Sequence, residues 1–329
     1  MTVRYLERNA IDSAAWDDCV AASRQRLIYA FSWYLDALTL AWGGIVAEEE
    51  GQYLAVMPLP FRRRYGVAVV YQPDYCHQLG IFGREDVDVK AVCGSFLAQL
   101  MRRFRWVASY RFNEANQQEL RFPPQLNPVR RENLVLNLNQ SYTALRANYS
   151  TDRKTNLKRA RNVGWLLETG ADIRPLIQLH RLHNEEKAVA AYRRLDLRIY
   201  DRFANGVDEL TKRGLAQVWL ARKAGSTAPE AGGLFVFDRD RIIYLFNGAS
   251  LVGRKQQARL WMINRLMVEW AGQPIEFDFE SPAIGAGSVK DYYRSFGAEG
   301  RAYTEIAYNR LPGWLKGLRT MARLVRKGP

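Results

Sequence analysis

The sequence predicts an α/β (α+β) chain built as two tandem domains, on three observations. Helical and strand-like segments interleave through both halves instead of segregating, the signature of a mixed fold. At 329 residues the chain exceeds the size, roughly 250–300 residues, at which a single hydrophobic core stops growing. Its apolar fraction of 48% is enough to fill two cores.

The first half opens with a strand-like run, VRYLE, then an amphipathic helix around IDSAAWDDCVAAS. FSWYLDALTLAW reads as a second helix with Ser32 as its cap. WGGIVAEEEGQYLAVMPLPFRRR reads as two strands joined at Glu-Glu-Gly-Gln, the second ending at Pro58 and Pro60, and VAVVYQP is a further strand. A loop, PDYCHQLGIFGRED, leads into a helix over residues 87–104, the strand WVASYRF and the proline-bearing RFPPQLNPVRRENLVLNL. The domain boundary is placed at 139/140.

The second half begins with a short basic helix carrying Arg153, Lys154, Lys158, Arg159 and Arg161, ending at Gly164. Strand VGWLLE follows, then helices around ADIRPLIQLHRLHNEEKAV and LRIYDRFANGVDELTKR. Three strands come next, GLAQVWLARKAG, GGLFVFDRD and RIIYLFNGAS, the last two joined by a turn at Asp238 to Arg241. A helix over residues 255–271 with an apolar stripe precedes strand PIEFDFE, a helix over 289–296 and strand RAYTEIAYN. The order is β-α-α-β-β-β-α-β-α-β. Residues 140–311 form the second domain and 312–329 a basic amphipathic C-terminal helix.

Lys and Arg number 48 against 34 Asp and Glu, a formal charge of +14 that implies an anionic partner: nucleic acid, a nucleotide-bearing donor, a membrane surface or an acidic precursor. Scattered solvated arginines would give the same charge. Three cysteines without close spacing indicate neither a disulfide framework nor a zinc site, and hence a reducing compartment. No secretory signal or membrane span is legible. The tail LPGWLKGLRTMARLVRKGP alternates apolar and basic positions at helical spacing, which suits either an anionic lipid surface or packing on the body. A cytoplasmic protein in peripheral contact with the inner membrane face is the expectation.

Several stretches together resemble a known superfamily: TDRKTNLKRARNVGW before the second half's first strand, IIYLFNGAS leading into a long helix, and FDFE followed by a glycine loop and DYYRSFGAE. FSWYLDAL and QPDYCHQLGIFG in the first half add to them. This combination resembles the Gcn5-related N-acetyltransferase (GNAT) fold in tandem, as in the FemAB-like peptidoglycan aminoacyltransferases, from about Ala30 to Asn309. The resemblance implies two GNAT-like domains, the first degenerate, each a mixed, mostly antiparallel sheet flanked by helices. It also implies acyl or aminoacyl transfer from acyl-coenzyme A or aminoacyl-tRNA to an amine acceptor, such as a cell-envelope precursor. The alternative is a non-catalytic module for an anionic ligand on the same fold.

Such chemistry needs a base for the amine and fixed donors for the oxyanion. Asp278 and Glu280, two apart in an apolar strand, are the carboxylate candidates, with Glu280 first because it lies nearest the loop; paired surface carboxylates are the plainer reading. Asn247 offers an amide to the oxyanion, although Asn-Gly is also an ordinary turn pair. Gly253, Arg254 and Lys255 open the long helix where the resemblance puts a phosphate cradle, here with a single glycine. Arg153, Lys154, Lys158, Arg159, Tyr293 and Arg294 are candidates for substrate or anion binding. His180 and His183 stand three apart beside Glu185 and Glu186, but without a third ligand they do not make a metal site.

Overall fold

In order, the chain forms β1 (Thr2–Glu7), α1 (Ser13–Ala21), α2 (Ser32–Leu38), β2 (Trp42–Glu49), β3 (Gln52–Arg64), β4 (Val67–Val70) and β5 (Phe82–Gly83). α3 (Val89–Arg103), β6 (Trp106–Arg111), α4 (Glu114–Glu119), β7 (Val129–Asn137), α5 (Tyr142–Ala147), α6 (Thr151–Arg161) and β8 (Trp165–Gly170) follow. Then come α7 (Arg174–Glu186), α8 (Arg198–Lys212), β9 (Ala216–Lys223), β10 (Ala231–Asp238), β11 (Arg241–Ala249) and α9 (Leu251–Lys255). α10 (Ala258–Trp270), β12 (Glu276–Asp278), α11 (Gly287–Arg294) and β13 (Glu299–Asn309) complete the order. The computed structural model describes residues 1–64, 66–186, 198–281 and 287–312. The expected C-terminal helix, the side chain of His183 and most of the loop before α11 lie outside them.

The backbone divides into two compact units, one of Met1–Arg130 with the chain from Tyr303 on, the other of Arg131–Ala302. The divisions fall within β7 and within β13, whereas the sequence reading set them at 139 and 311.

In the first unit β1, β2, β3 and β4 run antiparallel in sequence, β4 pairs parallel with β6, and β6 pairs antiparallel with Glu305–Asn309 of β13. Trp16, Tyr34, Phe82, Phe96 and Phe112 are fully buried in its core. Two local expectations are corrected here. β3 does not stop at its prolines but continues to Arg64, because Pro58 and Pro60 lie where the strand leaves β2 and takes up β4 at Phe61. Ser32 is not the cap of α2: the helix begins at Ser32, and Asp17 accepts from both its backbone N–H (2.7 Å) and its hydroxyl (2.9 Å).

In the second unit the strand order is β7-β12-β11-β10-β9-β8. All neighbours are antiparallel except β11 and β12, which pair in parallel. The long helix expected over 255–271 is two: Gln257, with φ of 60°, separates α9 from α10. Leu260, Ile263, Leu266 and Met267 of α10 pack with Phe235, Tyr244 and Phe277 in one core cluster. Tyr142 and Tyr149 donate to buried Asn264 of α10 at 2.9 and 3.2 Å, which ties the α5–α6 segment to that helix. Gly297 ends α11 at φ of 89°, where an added Cβ would lie 2.8 Å from that of Asn148. Arg153 on α6 and the tyrosines of α11 are thereby held on adjoining elements.

Candidate active site

The site grows out of the one parallel strand pair in the second unit. β11 and β12 are in register at Arg241/Glu276, Ile242/Phe277 and Ile243/Asp278, after which β12 ends and β11 runs on to Ala249. Opposite β10 the register slips between Leu234 and Phe235, so that β11 carries an extra residue, Leu245. A bulge of this kind re-aims the side chains beyond it. Asn247 and Gly248 sit in this outer part of β11, paired with Gly233 and Gly232, so the Asn-Gly pair belongs to a strand and makes no turn.

Asp278 and Glu280, two apart and so expected on one face of a strand, do not share one, because β12 ends at Asp278. The Asp278 carboxylate accepts from Arg241 (2.7 Å), from Asn133 (2.9 Å) and from the backbone N–H of Glu280 (2.7 Å). The last bond is an Asx-type turn, which takes the chain out of extended geometry. Glu280 follows at φ of 62°, a conformation that L residues other than Asn and Asp seldom adopt and that costs on the order of 1–3 kcal/mol. Asp278 thus has the position of an architectural carboxylate, and Glu280, 5% exposed, is the carboxylate held in a strained, buried setting.

Around Glu280 stands a polar cluster. Asn247 accepts through Oδ1 from the Arg259 guanidinium at 2.5 Å, which fixes the two ends of its amide. The Tyr293 hydroxyl interacts with Asn247, with the Arg259 charge and with the Glu280 charge, and its ring stacks on Phe279 at 4.7 Å. Burial, with smaller contributions from Tyr292 and Glu280, pushes this hydroxyl up to about 12 against the pull of Arg259 and Asn247. The Tyr244 hydroxyl is buried without a hydrogen-bond partner among the described residues, and burial also raises it.

Two guanidinium groups approach the Tyr292 ring, Arg153 at 4.3 Å and Arg259 at 5.2 Å from its centroid. Arg153 is 8% exposed and donates through Nε to Ser295 at 2.8 Å. Burial, and in the same direction the charge of Arg259, hold Arg153 below the ordinary arginine range. Neither arginine has a carboxylate in ion-pairing range among the described residues. Two cations so close and without a counter-ion make an anion-binding geometry.

The other candidates lie apart from this cluster. Lys154, Lys158 and Arg159 occupy the exposed face of α6, and only Arg153 of that basic helix turns inward. Arg294 is exposed and pairs with Glu132 at 2.9 Å. The backbone N–H of Gly253 is taken by the Ser250 hydroxyl at 2.9 Å, and an added Cβ there would meet the Glu230 carbonyl, so close packing accounts for this glycine. Arg254 donates to the Ala249 carbonyl at 3.0 Å, and Lys255 is exposed. His180 makes a 3.0 Å hydrogen bond through Nδ1 with the Asn247 carbonyl, supporting β11 from behind. Sequence reasoning missed Arg259 and Tyr244. Arg259 did leave a signal, a cation in the first turn of a helix, where the dipole disfavours it. Tyr244 left none, since inside RIIYLF it reads as core.

No protein-family model matches the chain, and no curated protein matches it by sequence. Solved structures do. FemX superposes with a TM-score of 0.63 at 11% identity, over 92% of this chain and 96% of that one. A tandem GNAT protein from the clavulanic acid biosynthesis pathway superposes with a TM-score of 0.54 at 13% identity, over 95% and 99%. L-PGS from Bacillus licheniformis gives 0.53 at 10% identity, over 95% and 96%. The alternation of helices and strands, the parallel pair β11 and β12 and these superpositions agree: the chain has a FemAB-like, tandem GNAT-type fold.

Proposed function

We propose that the protein is an acyl or aminoacyl transferase that moves an acyl group from an anionic donor to an amine, with a cell-envelope precursor as the acceptor class. The observation that carries this reading is the convergence, at the open end of β11 and β12, of the strained and buried Glu280 with Tyr293, Asn247 and the Arg153–Tyr292–Arg259 group, whose cations have no counter-ion among the described residues. Glu280 takes a proton from the acceptor ammonium. The freed nitrogen forms the new C–N bond at the donor carbonyl, and the C–S bond of a thioester or the C–O bond of an aminoacyl ester breaks. Tyr293, kept protonated by burial, gives its proton to the departing sulfur or oxygen and regains one from the amide nitrogen, which sheds its second proton. Asn247 supplies a fixed amide donor to the oxyanion. Arg153 and Arg259 answer the phosphates of the donor, acyl-coenzyme A or aminoacyl-tRNA.

One observation favours a second reading, a non-catalytic module for an anionic ligand. The backbone donor at Gly253, where a phosphate cradle was expected, is already occupied by Ser250. Thermal shift with acetyl-coenzyme A, coenzyme A and aminoacyl-tRNA separates the cases. Stabilisation by one donor, lost in Arg259→Gln, is the expected result, and transfer to an amine then distinguishes enzyme from module. No shift with any of the three contradicts both donor assignments. For the C-terminal segment the proposal is contact with anionic lipid, read by liposome sedimentation with and without residues 312–329. No helix among the described residues is long and apolar enough to cross a membrane.

A further inference from the structure

The first unit has a cavity of about 410 Å³ that plays no part in this chemistry. Its floor is a bulge: β13 pairs Ile306 with Tyr110 and Tyr308 with Val107, so Ala108 and Ser109 of β6 face Ala307 alone. Ala108 and Ala307, the residues at this widened point, have the smallest side chains that still carry a Cβ, and the hollow lies over them. One wall is Trp106, with the Arg64 guanidinium 5.9 Å from its ring centroid. Arg62 lines the cavity too and sits 5.1 Å above the Tyr71 ring. At the far side Asn127, in the left-handed conformation at φ of 46°, donates to the Ala307 carbonyl at 2.9 Å and so fixes the rim to the bulge. No acidic side chain lines the cavity among the described residues.

We propose that this hollow binds a phosphate ester, the phosphate between Arg62 and Arg64 and the apolar or aryl body over Ala108 and Ala307 against Trp106. The volume falls in the range of small-molecule sites, roughly 300–1,000 Å³, and a cationic rim over an apolar floor matches an anion joined to an apolar body. A guanidinium has five N–H donors, so one resting on an aromatic face still directs some of them to phosphate oxygens even where others are engaged. The site is independent of the acyl-transfer reading. The ester has two sources, a soluble phosphate ester and a phospholipid headgroup.

The test is calorimetric titration of the full chain with phenyl phosphate and with inorganic phosphate, and sedimentation with phosphatidylglycerol vesicles. Ala108→Leu fills the hollow from an exposed strand position and leaves the charge intact. Arg62→Gln with Arg64→Gln removes the charge, and Arg62→Gln alone, at an exposed position, serves if the double variant does not fold. Phenyl phosphate binding tighter than inorganic phosphate, and weakened about tenfold or more by both kinds of variant, supports a soluble ester. Vesicle binding weakened by both kinds supports a headgroup. Binding that falls with the arginine variants but ignores Ala108→Leu is surface charge alone and overturns the proposal, as does no binding of either phenyl phosphate or vesicles.

Discussion

The two units treat their buried polar groups differently. In the first, the buried side chains of Asn113, Asn116 and Tyr110 close onto backbone. Asn116 accepts from the Ile81 N–H at 2.9 Å and donates to the Ile81 carbonyl at 3.0 Å, Asn113 donates to Leu79 at 3.1 Å, and the Tyr110 hydroxyl donates to Pro58 at 2.8 Å. Such groups fix loops in place and spend their own donors and acceptors on the backbone. In the second unit Arg153, Arg259, Tyr244, Tyr293 and Glu280 gather around one strand end, with two cations uncompensated and one hydroxyl unsatisfied among the described residues. Burying charge without its partner is unfavourable, so its persistence there signals a partner that arrives from outside.

That contrast predicts a graded set of mutational effects. The largest loss of stability belongs to Asp278→Ala, which strips a buried pair of its carboxylate and releases the Glu280 turn. About 3–5 kcal/mol is expected in urea unfolding, and a value under 1 would show that Asp278 is not architectural. Asn116→Ala, which orphans both backbone groups of Ile81, should cost about 2 kcal/mol by the same measurement. Arg259→Gln should change stability by less than about 1 kcal/mol while weakening the donor about tenfold or more, so that a large destabilisation would make Arg259 structural like Asn116.

The smallest effect is one of pH. Burial holds the His180 imidazole below its ordinary value, against the Asn247 hydrogen bond that raises it. The folded state therefore binds fewer protons than the unfolded one between the two values. Its contribution is fully present above about 6.5 and is lost as pH falls toward the folded pKa. Urea midpoints between pH 7.5 and 5.5 should drop less steeply in His180→Gln than in the parent; equal slopes would remove His180 from that account.

Much of this fold is legible in the sequence because it is set by local pattern. The β-α-α-β-β-β-α-β-α-β order follows from periodicity and from turn residues such as those between β10 and β11. The site is legible only in part. Glu280 and Asn247 carry polar atoms in apolar surroundings and stand out. What separates Asp278 from Glu280 is a single positive φ, which no spacing reveals, since Glu is an ordinary strand-end residue. Arg153 and Lys154 look equivalent in a basic helix, and only the docking of α6 on α10 and α11 decides that one is buried and the other exposed. Tyr244 is indistinguishable from core because its hydroxyl matters only through neighbours from α10 and α11.

The central claim is that Glu280 is held in strain for catalysis. It is tested most directly by single-turnover transfer from acetyl-coenzyme A or aminoacyl-tRNA to an amine, comparing the parent with Glu280→Gln at matched donor occupancy. The account predicts a rate lower by about 10²–10⁴-fold in the variant, with donor affinity within about twofold and an unfolding midpoint that does not fall. Equal rates in the two proteins would contradict it.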